Sequence, residues 1–256
     1  MQCSNTRSQS QKIDMESCIQ ATSSCSYFQT NGYEVWQKFL TQHQLKHLRT
    51  KVNVILNNLH PSVDPEWIQH VHQLKEGTFL RNLATSVKHL ASDYLNDPNP
   101  ILYSSQISCR YPGTEVKTPW HQDGPGAGVV TFWITLDRID ETNGGLQVIP
   151  KGHLNGRQRL KTFDTNTTTA NDFDCAVNMA SHNVFEIESV QSSNVFKYRL
   201  RAGGAGVHHD SIPHCSNPNV SITPRRVIIL RYMHHDTKQV EGKFLHYKTG
   251  LMETRT

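Results

Sequence analysis

The sequence predicts a β-rich α+β fold, a jelly roll with helices packed on one side. Three observations carry this: two helical stretches come first, short β-branched and aromatic runs follow, and Gly, Pro and Asn turns separate those runs. In the first stretch Phe39, Leu40, Leu45, Leu48, Val52, Ile55, Leu56 and Leu59 recur at three-and-four spacing, and Pro61 stops them. In the second, Phe79, Leu80, Leu83, Val87, Leu90 and Tyr94 repeat the pattern until Asp97-Pro98-Asn99-Pro100 breaks it. Beyond Pro100 the expected strands are 101–111, 129–136, 146–149, 183–187, 195–200 and 226–232. The polar, Asn- and Thr-rich stretch 155–182 reads as a long loop, either a lid over a site mouth or a solvated surface insertion.

A chain of 256 residues can bury a sizeable core as one β-rich domain, expected over 27–256 after a poorly ordered, Ser- and Gln-rich lead-in at 1–26. The net charge of +4 is mild, and Lys and Arg are scattered among acids. Nucleic acid is therefore not the natural partner, whereas small anionic ligands suit a basic tilt. The first residues lack an apolar signal core and no later run has membrane-spanning length, so a cytoplasmic monomer with no membrane partner is expected. The 6 cysteines form no CxxC pair, which favours reduced thiols.

Chemistry is suggested by His-x-Asp patterns, because residues two apart in a strand share a face and can offer an imidazole nitrogen and a carboxylate oxygen to one ion. They occur at His121-Gln122-Asp123, His208-His209-Asp210 and His234-His235-Asp236, and a chain with 15 histidines makes any one of them weak evidence. A mononuclear iron oxygenase also needs a distant third ligand and an open coordination face. A bound 2-oxoglutarate needs an Arg, whose planar fork matches a carboxylate. The pair at His121 meets both demands, with His214 far downstream and Pro224-Arg225-Arg226 leading into a strand. The pairs at His208 and His234 lack a suitable His and Arg beyond them and read as polar strand-end residues.

Around these residues the chain resembles the phytanoyl-CoA dioxygenase family, within the Fe(II)/2-oxoglutarate oxygenases. The resemblance lies in Trp120-His121-Gln122-Asp123-Gly124, Phe132-Trp133-Ile134-Thr135-Leu136-Asp137 and Thr142-Asn143-Gly144-Gly145-Leu146-Gln147-Val148-Ile149-Pro150-Lys151-Gly152-His153. It continues in His214-Cys215-Ser216-Asn217-Pro218-Asn219, Pro224-Arg225-Arg226 and Leu230-Arg231-Tyr232. It implies a double-stranded β-helix (a cupin-like jelly roll) with flanking N-terminal helices. It further implies Fe(II) held by His121, Asp123 and His214, with 2-oxoglutarate anchored by Arg225, assisted by Ser216 and lined by Trp133. Arg231 shares a face with Arg225 and is the fallback anchor, while Arg226 points the other way. The chain departs from the family at Cys215, where Gly is common, and at Pro150-Lys151-Gly152-His153, where Pro-Gly-Ser-His is more usual.

The implied reaction uses O2 and 2-oxoglutarate to oxidise an unactivated C–H bond of a small molecule, by default hydroxylation, with release of succinate and CO2. Desaturation or oxidative ring closure in specialised metabolism shares the first step. Retention of Asp123 argues against the halogenating relatives. Candidate substrate contacts are Gln106, Ser108 and Arg110 on one strand face, and His209 and Asp210 ahead of the distal His, for a substrate that suits a carboxylate. Arg110 reads equally as one half of a surface ion pair. The rival classes are a metal-dependent isomerase or hydrolase on the same jelly roll, which has no use for Arg225, and a binding module, which has no use for the ligand set.

Overall fold

The structure is a computed structural model that describes residues 19, 21–115, 117–123, 128–159, 186–188, 190, 194–237 and 243–254. The lead-in up to residue 18 and the part of the expected long loop from 160 onward lie outside them. In chain order the elements are α1 (Cys25–Asn31), β1 (Tyr33–Trp36), α2 (Gln42–Leu56), β2 (Ile68–Gln69), α3 (Thr78–Leu95), β3 (Ile101–Arg110), β4 (Thr118–His121), β5 (Val129–Thr135) and β6 (Leu146–Val148). They continue with β7 (Phe196–Lys197), β8 (Ala205–His209), β9 (His214–Ser216), β10 (Arg225–Met233), β11 (Lys243–Leu245) and β12 (Met252–Thr254).

Helix α2 starts later than the apolar spacing suggests because Thr41 caps it. The Thr41 hydroxyl accepts from the Gln44 amide at 3.2 Å and the Gln44 side chain accepts from the Thr41 amide at 2.9 Å. Phe39 and Leu40 stay outside the helix, their amides donating to the Gly203 carbonyl. Helix α3 ends where Asn96 turns left-handed at φ 49° ahead of Pro98.

The strands form two antiparallel sheets facing one another, a jelly roll as expected: a large one ordered β1-β8-β5-β10-β3-β2 and a smaller one ordered β4-β9-β6-β7, with β11 and β12 as a separate hairpin. Alternation along each strand divides the core in two. Ile107, Phe132, Ile134, Val207, Ile228 and Leu230 project outward into a cluster with Leu48, Val52, Leu83 and Val87 of the helices. Trp133, Val227 and Ile229 project inward, against Leu146 and Val148 of the small sheet. Leu48 is fully buried in the helix–sheet layer. Leu48→Ala is expected to lower stability by about 2–5 kcal/mol, read from the denaturant midpoint.

The sequence patterns missed several short strands. In β8 the run Ala205-Gly206-Val207-His208-His209 has little β-branched character, and Gly206 is fixed by packing: a Cβ there would lie 2.2 Å from Tyr198 Cε2. The expected strand over 195–200 contracts to Phe196–Lys197 plus an isolated bridge between Ile139 and Leu200. Most of the expected strand over 183–187 lies outside the described residues.

The two family departures have different consequences. Cys215 sits inside β9 and is not among the residues with positive φ, so the backbone there accommodates a side chain. Lys151, in contrast, is left-handed at φ 66°, where the usual motif places Gly. Gly152 next to it is forced by close approach, since a Cβ would lie 2.6 Å from Pro213 Cδ. Relief of the left-handed cost, roughly 1–2 kcal/mol, exceeds the extra chain entropy of glycine, roughly 0.5–1 kcal/mol. Lys151→Gly is therefore expected to stabilise the fold and raise the urea midpoint.

Candidate metal centre and co-substrate pocket

Antiparallel pairing of β4 with β9 sets His121 opposite His214, and Asp123 follows just past the end of β4. The two imidazole rings lie 4.0 Å apart, centroid to centroid. Each ring is oriented from behind. His121 Nδ1 donates to the Pro119 carbonyl at 2.9 Å and His214 Nδ1 to the Ile212 carbonyl at 3.0 Å, which leaves each Nε2 as a lone pair. Both Nε2 atoms face Asp123 Oδ1, at 3.8 and 3.7 Å. The donor atoms of His121, Asp123 and His214 all lie within 4.8 Å of one another.

The other carboxylate oxygen is held by one row of the large sheet, in which Arg231, Thr131 and His208 are register partners. Asp123 Oδ2 accepts from Thr131 Oγ1 at 3.0 Å, His208 Nε2 at 3.4 Å and Arg231 Nε at 3.4 Å. Burial pushes the Asp123 carboxyl upward, but Arg231, His214 and His208 outweigh it and hold the group well below the usual carboxylate range. Burial, reinforced by His214, pushes His121 down to about 3, and burial pushes His214 down to about 4. Two neutral imidazoles and one ionised carboxylate are the state a divalent transition metal binds.

An open cavity extends from this triad between the sheets. At its far end Arg225, at the start of β10, is register partner to Arg110 on β3. Arg225 Nη1 donates to the Gly144 carbonyl at 2.8 Å and Nη2 to Ser108 Oγ at 3.0 Å, with the guanidinium carbon 5.6 Å from the Trp133 ring centroid. Its Nε is buried with no hydrogen-bond partner among the described residues. Burial, with Arg110 alongside, pushes this guanidinium down to about 9. A buried guanidinium with one N–H left unsatisfied fits a carboxylate.

The structure redistributes the expected substrate contacts. Arg110 is neither a surface ion pair nor a free anion site. It is 1 % exposed, and its Nε and Nη2 donate to Glu66 at 2.6–2.9 Å, with further donation to Thr118 Oγ1, Ser216 Oγ and the Asn217 carbonyl. Ser108 holds Arg225, and Ser216 accepts from Arg110, so both serve the Arg225 end of the cavity. Gln106 lines the cavity and accepts from Arg231 Nη1 at 3.2 Å.

His209 and Asp210 do not line the cavity. Strand alternation sends His208 inward and His209 outward, towards His153 and Phe28, and Asp210 pins the turn by accepting from the Val129 amide and Ser211 Oγ. The reading of His208 as a plain strand-end residue is thereby corrected: it is buried beside Asp123. Its inward direction follows from register with Thr131, which a lone His-x-Asp pattern does not reveal. At the third pair, the Asp97 carboxylate gathers His234 and His235 at the end of β10. It already accepts from the Asn99 and His235 amides and from His235 Nδ1.

Sequence reasoning also missed Glu66, which follows Asp64 and Pro65 ahead of β2. It missed Gly144 as well, at φ 80°, whose carbonyl orients Arg225 and where a Cβ would lie 2.6 Å from the Asn217 carbonyl oxygen. Among the described residues no helix is long and apolar enough to cross a membrane.

Comparison with known proteins agrees with this fold. A methylphosphonate hydroxylase of Gimesia maris is 26% identical over 220 residues, covering 78% of this chain and 76% of the relative. Among solved structures, EvdO2 from Micromonospora carbonacea var. aurantiaca complexed with 2-oxoglutarate superposes with a TM-score of 0.67 at 19% identity, covering 85% of this chain and 93% of that one. The epimerase SnoN in complex with Fe3+, alpha ketoglutarate and nogalamycin RO gives 0.61 at 18% identity, with 82% of each chain covered. The model of the phytanoyl-CoA dioxygenase family matches residues 16–227, so the chain belongs to that family of Fe(II)- and 2-oxoglutarate-dependent oxygenases.

Proposed function

We propose that the protein oxidises an unactivated C–H bond of a small molecule, hydroxylation being the default outcome, with His121, Asp123 and His214 holding Fe(II) and Arg225 anchoring 2-oxoglutarate. The observation that carries this reading is the buried, unpartnered Nε of Arg225 in the same cavity as the His-Asp-His cluster. An isomerase or hydrolase on this jelly roll has no use for such a group. When bound, iron and 2-oxoglutarate together supply the oxidising power, with O2 consumed and succinate and CO2 released. The chain's own part is positional. Pro119 and Ile212 fix the imidazole tautomers, Thr131 and its row fix the carboxylate, and Gly144, Ser108 and Trp133 fix the anchor. Similarity to a methylphosphonate hydroxylase supports hydroxylation and a compact anionic substrate.

The test is succinate formation from 2-oxoglutarate by the Fe(II)-loaded protein with a panel of small acids. Arg225→Ala is expected to raise KM for 2-oxoglutarate roughly 10- to 100-fold, the loss of a charge-assisted contact. No succinate with any acid, or an unchanged KM in the variant, contradicts the reading.

A further inference from the structure

We propose that Arg231 anchors one compact anionic group of the substrate, a carboxylate or a phosphonate, and that the carbon next to that group is the one oxidised. The inference rests on the iron and 2-oxoglutarate reading above and identifies the class of substrate for that site.

Position comes first. Arg231 and His208 belong to the sheet row that reaches Asp123 Oδ2, while Oδ1 faces the two imidazoles. A group held by Arg231 therefore sits at the metal end of the cavity, and the carbon attached to it is the part of the substrate placed beside the triad. Arg225 lies six residues earlier on the same strand face, with Val227 and Ile229 between, so the two arginines address different parts of the cavity.

Capacity comes second. The guanidinium of Arg110 is saturated by Glu66, Thr118, Ser216 and Asn217. Arg231 makes only long contacts, 3.4 Å to Asp123 and 3.2 Å to Gln106, and no described residue accepts from its Nη2. Arg231 thus has donor capacity to spare at the metal end of the cavity.

Charge comes third. The ionised side chains lining the cavity are Glu66, Asp123, Arg110, Arg225 and Arg231, an excess of one positive charge among the described residues. Fe(II) and the 2-oxoglutarate dianion cancel one another, so loading the site leaves that excess in place. With Asp123 shared with the metal and Arg225 paired to the co-substrate, Arg231 is the cation left over. A buried excess charge is costly until a counter-charge arrives, and a substrate anion provides it.

The test is an anaerobic titration of the protein loaded with Fe(II) and 2-oxoglutarate, following the visible metal-to-ligand charge-transfer band while methylphosphonate, propionate or neutral propionamide is added. The expected result is a saturable shift of the band by an anion and none by propionamide. Tighter methylphosphonate assigns phosphonates and tighter propionate assigns carboxylates. At Fe(II) and 2-oxoglutarate concentrations that restore the full band, Arg231→Gln is expected to weaken the anion about tenfold or more, and Arg231→Lys is expected to recover part of the loss. Equal response to propionamide, no response to either anion, or an undiminished affinity for the anion in Arg231→Gln overturns the proposal. A wild-type protein that forms no band at all instead fails the reading beneath it.

Discussion

Asp123→Ala is expected to abolish turnover and to weaken Fe(II) binding by more than the roughly 10- to 100-fold typical of losing a supporting partner. The carboxylate faces both imidazole Nε2 atoms with one oxygen and gathers Thr131, His208 and Arg231 with the other. Its removal takes away the anionic ligand and leaves two neutral imidazoles beside an uncompensated guanidinium, an arrangement that repels a dication. Anaerobic Fe(II) titration by calorimetry or by a competing chelator measures this. Affinity retained within about tenfold would place the metal elsewhere.

The second large effect falls on stability rather than chemistry. Glu66→Ala is expected to destabilise the fold by about 3–5 kcal/mol, because it strands a buried cation. Arg110 is 1 % exposed, and the Glu66 carboxylate is its anionic partner, lying 3.8 Å from Arg225 as well. Without it two buried guanidinium groups face one another with only neutral acceptors. For a chain of this size the melting temperature should fall by roughly 2–4 °C for each kcal/mol. Glu66→Gln, which keeps the shape and one acceptor, should lose less. A melting temperature unchanged in Glu66→Ala would mean that water or a rearranged partner already satisfies Arg110.

Much of this architecture was legible because it rests on local patterns. The spacing of Leu45, Leu48, Val52 and Ile55 and the alternation through Phe132, Trp133 and Ile134 each identify an element and its buried face. The metal cluster was legible through the order of residue types, since His121, Asp123, His214 and Arg225 stand in a sequence that iron and a dicarboxylate both require. What stayed hidden depends on register between strands distant in sequence. Pairing of Thr131 with His208 and Arg231 turns a strand-end histidine and the fallback anchor into the support of Asp123, and pairing of Arg225 with Arg110 makes Ser108 and Arg110 neighbours of the anchor instead of substrate contacts. Glu66 was invisible for the same reason: one of two acids in a turn acquires its role only when Arg110, 44 positions away, is folded onto it.

The most direct test of the central claim is the anaerobic visible spectrum of the purified protein with Fe(II) and 2-oxoglutarate. A metal-to-ligand charge-transfer band that requires both additions, disappears in His121→Ala and demands more 2-oxoglutarate in Arg225→Ala is the predicted result. Absence of the band in the wild-type protein, or its persistence in His121→Ala, would contradict the assignment of the cavity as an iron and 2-oxoglutarate site.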